Sequence, residues 1–302
     1  MTDINVSSKS FSRLLKRLKP NQHSMLGTVV YASMRSWTII AGLAIVAFFV
    51  ALALLSLVWM PYNPVSSQTN ADLLPPSSVH WLGTTNIGQD VFSQWMYGAR
   101  STLLVGALAA TLSVMIGLSV GLVAGFVRWA DNPLMRLTDV ILTLPAVPLL
   151  ITISAFVHPS ELLVAFFIAI LAWGGKARMV RSMTISFKKS PMIEVARMSG
   201  VPTRTILFSD ILKHILPLVL AYSLFTVTAA ILTEAALDFI GVGPITDYSW
   251  GAQIAFAQGG GAIFANAYWW YLTPGLSIAV LSLGLALVAY GLETAFKASG
   301  LT

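Results

Sequence analysis

Three long runs in this chain carry no Asp, Glu, Lys, Arg or His at all: Trp37 to Met60, Ser101 to Val127 and Trp270 to Leu292. A stretch of about 20 such residues, coiled as a helix, crosses the ~30 Å hydrocarbon core of a bilayer. Lipid offers no partners for backbone polar groups, so a spanning segment of this kind is helical. Two further runs hold one carboxylate each, Leu137 to Val157 with Asp139 and Ile215 to Leu237 with Glu234. A sixth, Leu162 to Gly175, would reach only ~21 Å, and extends to residue 180 if Lys176 and Arg178 snorkel to the interface. Charged residues make up 10% of the chain against about a quarter in globular domains, which excludes a soluble fold. The expected fold class is an all-α integral membrane protein with six transmembrane helices, at 37–60, 101–127, 137–157, 162–180, 215–237 and 270–292.

The basic residues orient that arrangement. With a cytoplasmic N-terminus every Lys and Arg except Arg100 falls inside, and inverting the chain puts nearly all of them outside. Both termini are therefore expected in the cytoplasm, in a cell membrane. Dropping the short fourth span would move the most basic loop outside, so the same pattern supports keeping it. The pI near 9.7 belongs to these inner loops and does not point to nucleic acid. Cysteine is absent, so no disulfide or thiol ligand enters the reading. The run at Trp37 is too long for a signal-peptide core and lacks a cleavage pattern after it, so it is expected to be retained.

Residues 1–36 include "SKSFSRLLKRLKP", in which Phe11, Leu14, Leu15 and Leu18 share a helical face among basic residues. An amphipathic helix on the inner leaflet is expected, with a mobile basic tail as the alternative. The loops 61–100 and 238–269 are expected outside. Trp269, Trp270 and Tyr271 suit an aromatic belt where span six begins. Pro145 and Pro148 in span three, and Pro274 in span six, predict kinks.

Between spans four and five the chain turns polar, "KKSPMIEVARMSGVPTRTILFSDILKHILP" from Lys188 to Pro217. Pro191 suits a first helical position, and Gly200 followed by Pro202 marks a stop. A second helix is expected from Thr203. Its apolar pairs Leu207-Phe208, Ile211-Leu212 and Ile215-Leu216 form one face, laid along the membrane surface into span five. The short helix is then a projecting tip, and from physics alone it reads equally as a docking feature or as a plain connector.

"EVARMSG" at Glu194 to Gly200, with "ILP" ending at Pro217, resembles the EAA loop of ABC-importer permeases. More narrowly, the chain resembles the second permease subunit of the dipeptide/oligopeptide/nickel class. The shared pattern includes "LGTTNIGQDVFSQWMYGAR" from Leu82, "LMRLTDVILTLP" from Leu134, "TEAALDFIGVG" from Thr233 and "WWYLTPG" from Trp269, across residues 80–293. The resemblance implies that 181–214 is a coupling loop in which Glu194, Val195, Ala196, Arg197, Met198 and Gly200 engage an ATPase. It implies a homologous second permease, two cytoplasmic ATPase subunits and an extracellular or periplasmic solute-binding protein as partners. ATP and Mg would belong to the ATPase subunits, with no cofactor on this chain. The implied cargo is short peptides, with oligosaccharides or nickel as alternatives. Thr85, Gln89 and Gln94 stand where the class has Asp, Arg and Arg, so an external charge network is missing. Val195 replaces the first alanine of the motif, and the spacing from Gly200 to Pro217 is longer by roughly one helical turn.

The remaining polar residues are few. Asp139 lies one turn from Arg136, and an interfacial charge pair within span three is expected, with an intramembrane functional carboxylate as the alternative. Glu234 and Asp238 either line an outer vestibule or accept hydrogen bonds from loop amides. His158, near Glu161, is expected in a short solvated turn, and His23, His80 and His214 show no metal-ligand spacing with any carboxylate. No phosphate-binding glycine loop or nucleophile–base pattern occurs, so the chain is not read as an enzyme. A self-sufficient secondary transporter would call for intramembrane charges or an inverted repeat. A scaffold would make the motif a coincidence.

Overall fold

The computed structural model describes residues 36–67, 71–157, 160–243 and 248–298. The amphipathic helix expected within 1–36, and His158, lie outside the described residues. The regular elements among the described residues are helices: α1 Trp37–Val58, α2 Val91–Phe126, α3 Arg128–Thr143, α4 Ala146–Ser154, α5 Glu161–Lys188 and α6 Pro191–Met198. A continuous helix α7 then runs Thr203–Phe239, followed by α8 Trp250–Gly259 and α9 Tyr268–Ala298. Helices α1, α2, α5, α7 and α9 are each long and apolar enough to cross a membrane. Helices α3 and α4 together make a sixth candidate span bent by 74°.

Several boundaries differ from the sequence reading, each for a local reason. Helix α2 begins ten residues before the expected span, because Asp90 caps it: its carboxylate accepts from the Ser93 backbone N–H at 2.8 Å. Span three is a broken pair. Pro145 lacks the N–H that would extend the helix, and Leu144 before it takes the extended conformation that proline favours in its predecessor. The fourth span is the 28-residue α5, ~42 Å long, so snorkelling is not needed to complete it. Lys176 folds back along α5 and donates to the Ala172 carbonyl at 2.6 Å. The expected surface helix and span five are one piece, with a π-helical turn at Ile206–Ile211. Its apolar residues Ile206, Ile211 and Ile215 are buried inside the protein. Pro274 lies inside α9 and does not end it.

The tightest packing joins α2 to α5. Gly117, Gly121 and Gly125 stand four apart, and a Cβ at each would come within 2.6 Å of Lys176, Ala177 or Thr184. Small residues at that spacing let two helix backbones touch, where dispersion replaces the absent hydrophobic drive. Helix α1 meets α9 in the same way through Gly42 and Gly284. One core cluster gathers Phe49, Met96, Ile231, Trp250 and Leu281, binding α1, α2, α7, α8 and α9. The long α2 thus acts as the common axis: α8 packs near its start and α6 near its end.

Candidate functional site

The α6 tip is eight residues long, too short to hold its shape alone. Three attachments fix it. Ile193, 1% exposed, inserts among Leu122, Val180, Ile206, Ile211, Ile215 and Val219. Gly200, at φ +75°, closes the helix: its N–H reaches the Arg197 carbonyl at 3.0 Å, and the Val201 N–H reaches Ala196 at 3.1 Å. That double bond pattern is a Schellman stop, which needs a left-handed residue. Space is open around Gly200, so the backbone and not crowding demands glycine. Finally, Lys188 and Arg197 lie over the Phe126 ring at 5.2 and 5.8 Å, and the Lys188 Nζ donates to the Phe126 carbonyl at 2.6 Å. An orphan carbonyl at the end of α2 is thereby satisfied by a cation.

The outward face of the tip is apolar. Met192, Val195 and Met198 recur every third residue, with Val195 62% and Met198 83% exposed. Glu194 is exposed beside them. Ala196 instead turns inward and packs with Val201 against the buried cluster. Of the six residues named in this motif, Glu194, Val195 and Met198 face away from the bundle, Arg197 reaches back over Phe126, and Gly200 shapes the turn. Ile193 and Phe126 were not singled out from the sequence. An isoleucine three residues before Ala196 was the available signal for the first, and nothing local marked the second.

The expected Arg136–Asp139 pair is not formed. Asp139 binds Arg178 of α5 at 2.5 Å, and Asp131, two turns earlier on α3, binds Arg181, with one contact at 2.6 Å. Because α3 crosses α5, two guanidinium groups from the facing helix reach these carboxylates, and the partner within the same helix is displaced. Among the described residues no three His, Asp or Glu side chains converge as a metal site.

The other end of α2 holds a buried polar cluster. Asp90 joins His80 at 2.8 Å and also accepts the Ser93 hydroxyl at 2.7 Å. The Gln94 amide donates to Gln89 at 2.7 Å and to the Pro64 carbonyl at 3.1 Å. Gln253 of α8 donates to the Gln94 carbonyl at 2.7 Å. Thr85 Oγ1 accepts from the Gln89 backbone at 3.1 Å. Where the family pattern would put charges, a neutral amide network links both loops. Trp250 completes it, donating its indole N–H to Trp95 at 3.1 Å and its backbone N–H to Thr102 at 3.2 Å. Glu234 and Asp238 are brought together and buried, Glu234 at 2% exposure. Asp238 accepts the hydroxyl of Ser249, the cap of α8. Neither carboxylate faces an open vestibule.

Residues 92–299 match the family model described as the binding-protein-dependent transport system inner membrane component. The chain belongs to this family. The permease is 32% identical over 260 residues to the dipeptide transport system permease protein DppC of Alkalihalophilus pseudofirmus, covering 85% of this chain and 84% of that one. It is 30% identical over 258 residues to DppC of Bacillus subtilis, covering 84% and 80%. It is a multi-pass plasma-membrane permease of an ABC importer, a component that works with ATPase and solute-binding partners and is not itself catalytic.

Proposed function

We propose that this permease forms half of the translocation pathway for short peptides in an ATP-driven importer, and that α6 receives the motion of an ATPase subunit. The observation that carries the coupling reading is the exposed apolar row Met192, Val195 and Met198 on a helix anchored from behind by Ile193. Exposed apolar side chains rimmed by a carboxylate suit a partner's groove. Movement is transmitted only if the tip is stiff, and the Schellman turn and the Phe126 stack supply stiffness. The peptide cargo is supported by what the two relatives are named for transporting. In this reading both termini face the cytoplasm and a homologous permease supplies the other half of the pathway. Two ATPase subunits carry ATP and Mg, and the solute-binding protein docks against the external loops.

The chain has no cysteine, which gives a clean background for cross-linking. Met198→Cys, in membranes accumulating a labelled dipeptide, is expected to capture an ATPase subunit. Accumulation without any such capture would sink the docking role.

A further inference from the structure

Four cations of α5 are engaged, Arg178 and Arg181 by carboxylates and Lys176 and Lys188 by carbonyls. Arg100 stands at the opposite end of the bundle from these, near the start of α2. It lies over the Tyr97 ring at 5.2 Å and forms no ion pair among the described residues. A cavity of about 440 Å³ opens beside it, between α1, α2 and the start of α5. Ala53, Leu57 and Leu104 are among its apolar walls, and Tyr97, Arg100 and Glu161 are its polar ones. Glu161 likewise forms no ion pair among the described residues.

We propose that this cavity is a subsite for a zwitterionic solute of dipeptide size, with Arg100 taking the carboxylate and Glu161 the ammonium. The assignment rests on the peptide-import reading and deepens it. Two opposite charges lining one cavity yet held apart match a ligand with two opposite ends. A simple anion or cation would meet one attraction and one repulsion. The cation–π contact with Tyr97 places the guanidinium without occupying its N–H donors. Glu161 sits in the first turn of α5. The volume falls within the ~300–1,000 Å³ of small-ligand pockets.

The complete transporter, in nanodiscs and without binding protein, would be titrated with Ala-Leu, N-acetyl-Ala-Leu and Ala-Leu-amide, with and without a non-hydrolysable ATP analogue. Arg100→Gln is expected to weaken Ala-Leu about tenfold or more, the effect of one lost charge-assisted contact, and to leave Ala-Leu-amide unchanged. Arg100→Lys should restore most of the loss. Glu161→Gln should weaken Ala-Leu and spare the acetylated peptide. Unchanged affinities in the variants, equal losses for all three peptides, or no wild-type binding in either nucleotide state would overturn the subsite. Any of these in a complex that still imports peptides overturns the subsite alone; a wild-type complex that imports no peptide overturns the peptide reading with it.

Discussion

At the start of α2, Asp90, Gln94 and Thr102 are buried, and their partners are a histidine, amides, hydroxyls and a tryptophan N–H. At its end the polar contacts are ionic and open to solvent: Arg178 with Asp139 is more than half exposed, and Lys188 and Arg197 share the Phe126 ring. A buried, satisfied network resists rearrangement, because each broken bond strands a partner in a medium of low dielectric. Exposed ion pairs are weak, screened by salt and easily exchanged. The contrast separates an end built to keep its shape from an end able to change partners while its apolar tip stays mounted.

The most severe test of that contrast is Trp250→Ala. It removes a fully buried indole in edge contact with Phe49 at 5.2 Å and should cost about 3–5 kcal/mol, read as a large fall in the melting midpoint of the solubilised complex. Gln94→Leu should come next, at about 1–3 kcal/mol, since the carbonyl oxygens of Gln89 and Pro64 each lose a donor. Gly200→Ala should cost about 1–2 kcal/mol for a left-handed residue bearing a Cβ. Peptide uptake should fall far more than that stability loss explains, as measured in inserted, correctly assembled complexes. Arg178→Gln should cost no more than about 1 kcal/mol, and less in high salt. If it destabilised the complex as much as Gln94→Leu does, the division between the two ends would fail.

The sequence revealed the parts governed by local rules. Pro191 and Gly200 bounded the tip correctly, and Thr203 began the next helix, because proline at a first helical position and glycine at positive φ act through the backbone next to them. The charge-free runs likewise marked the spans. Missed features depended on distant partners. Residues 91–100 read as a polar loop, yet Ser93 and Gln94 are buried because Tyr62, Pro64 and Gln89 meet them. Helix α8 lay hidden in a glycine-rich loop, since only contact with α2 and α7 shows that Trp250 and Gln253 face inward. Asp139 was matched with its near neighbour Arg136, whereas its partner lies on another helix. The cavity shared by Arg100 and Glu161 joins residues that no spacing rule relates.

Helix α7 passes unbroken from Thr203 beside the tip to Phe239 next to Asp238, 37 residues or ~55 Å, against a hydrocarbon slab of ~30 Å. A helix that outreaches the membrane on this scale cannot telescope; it can lean, roll, or bend at the π-helical turn and at Pro217. In the coupling reading proposed above, a stroke at its basal end would emerge on the far side as an angular displacement of Asp238 against Ser249. Where the helix pivots then sets how wide the far mouth swings for a given thrust.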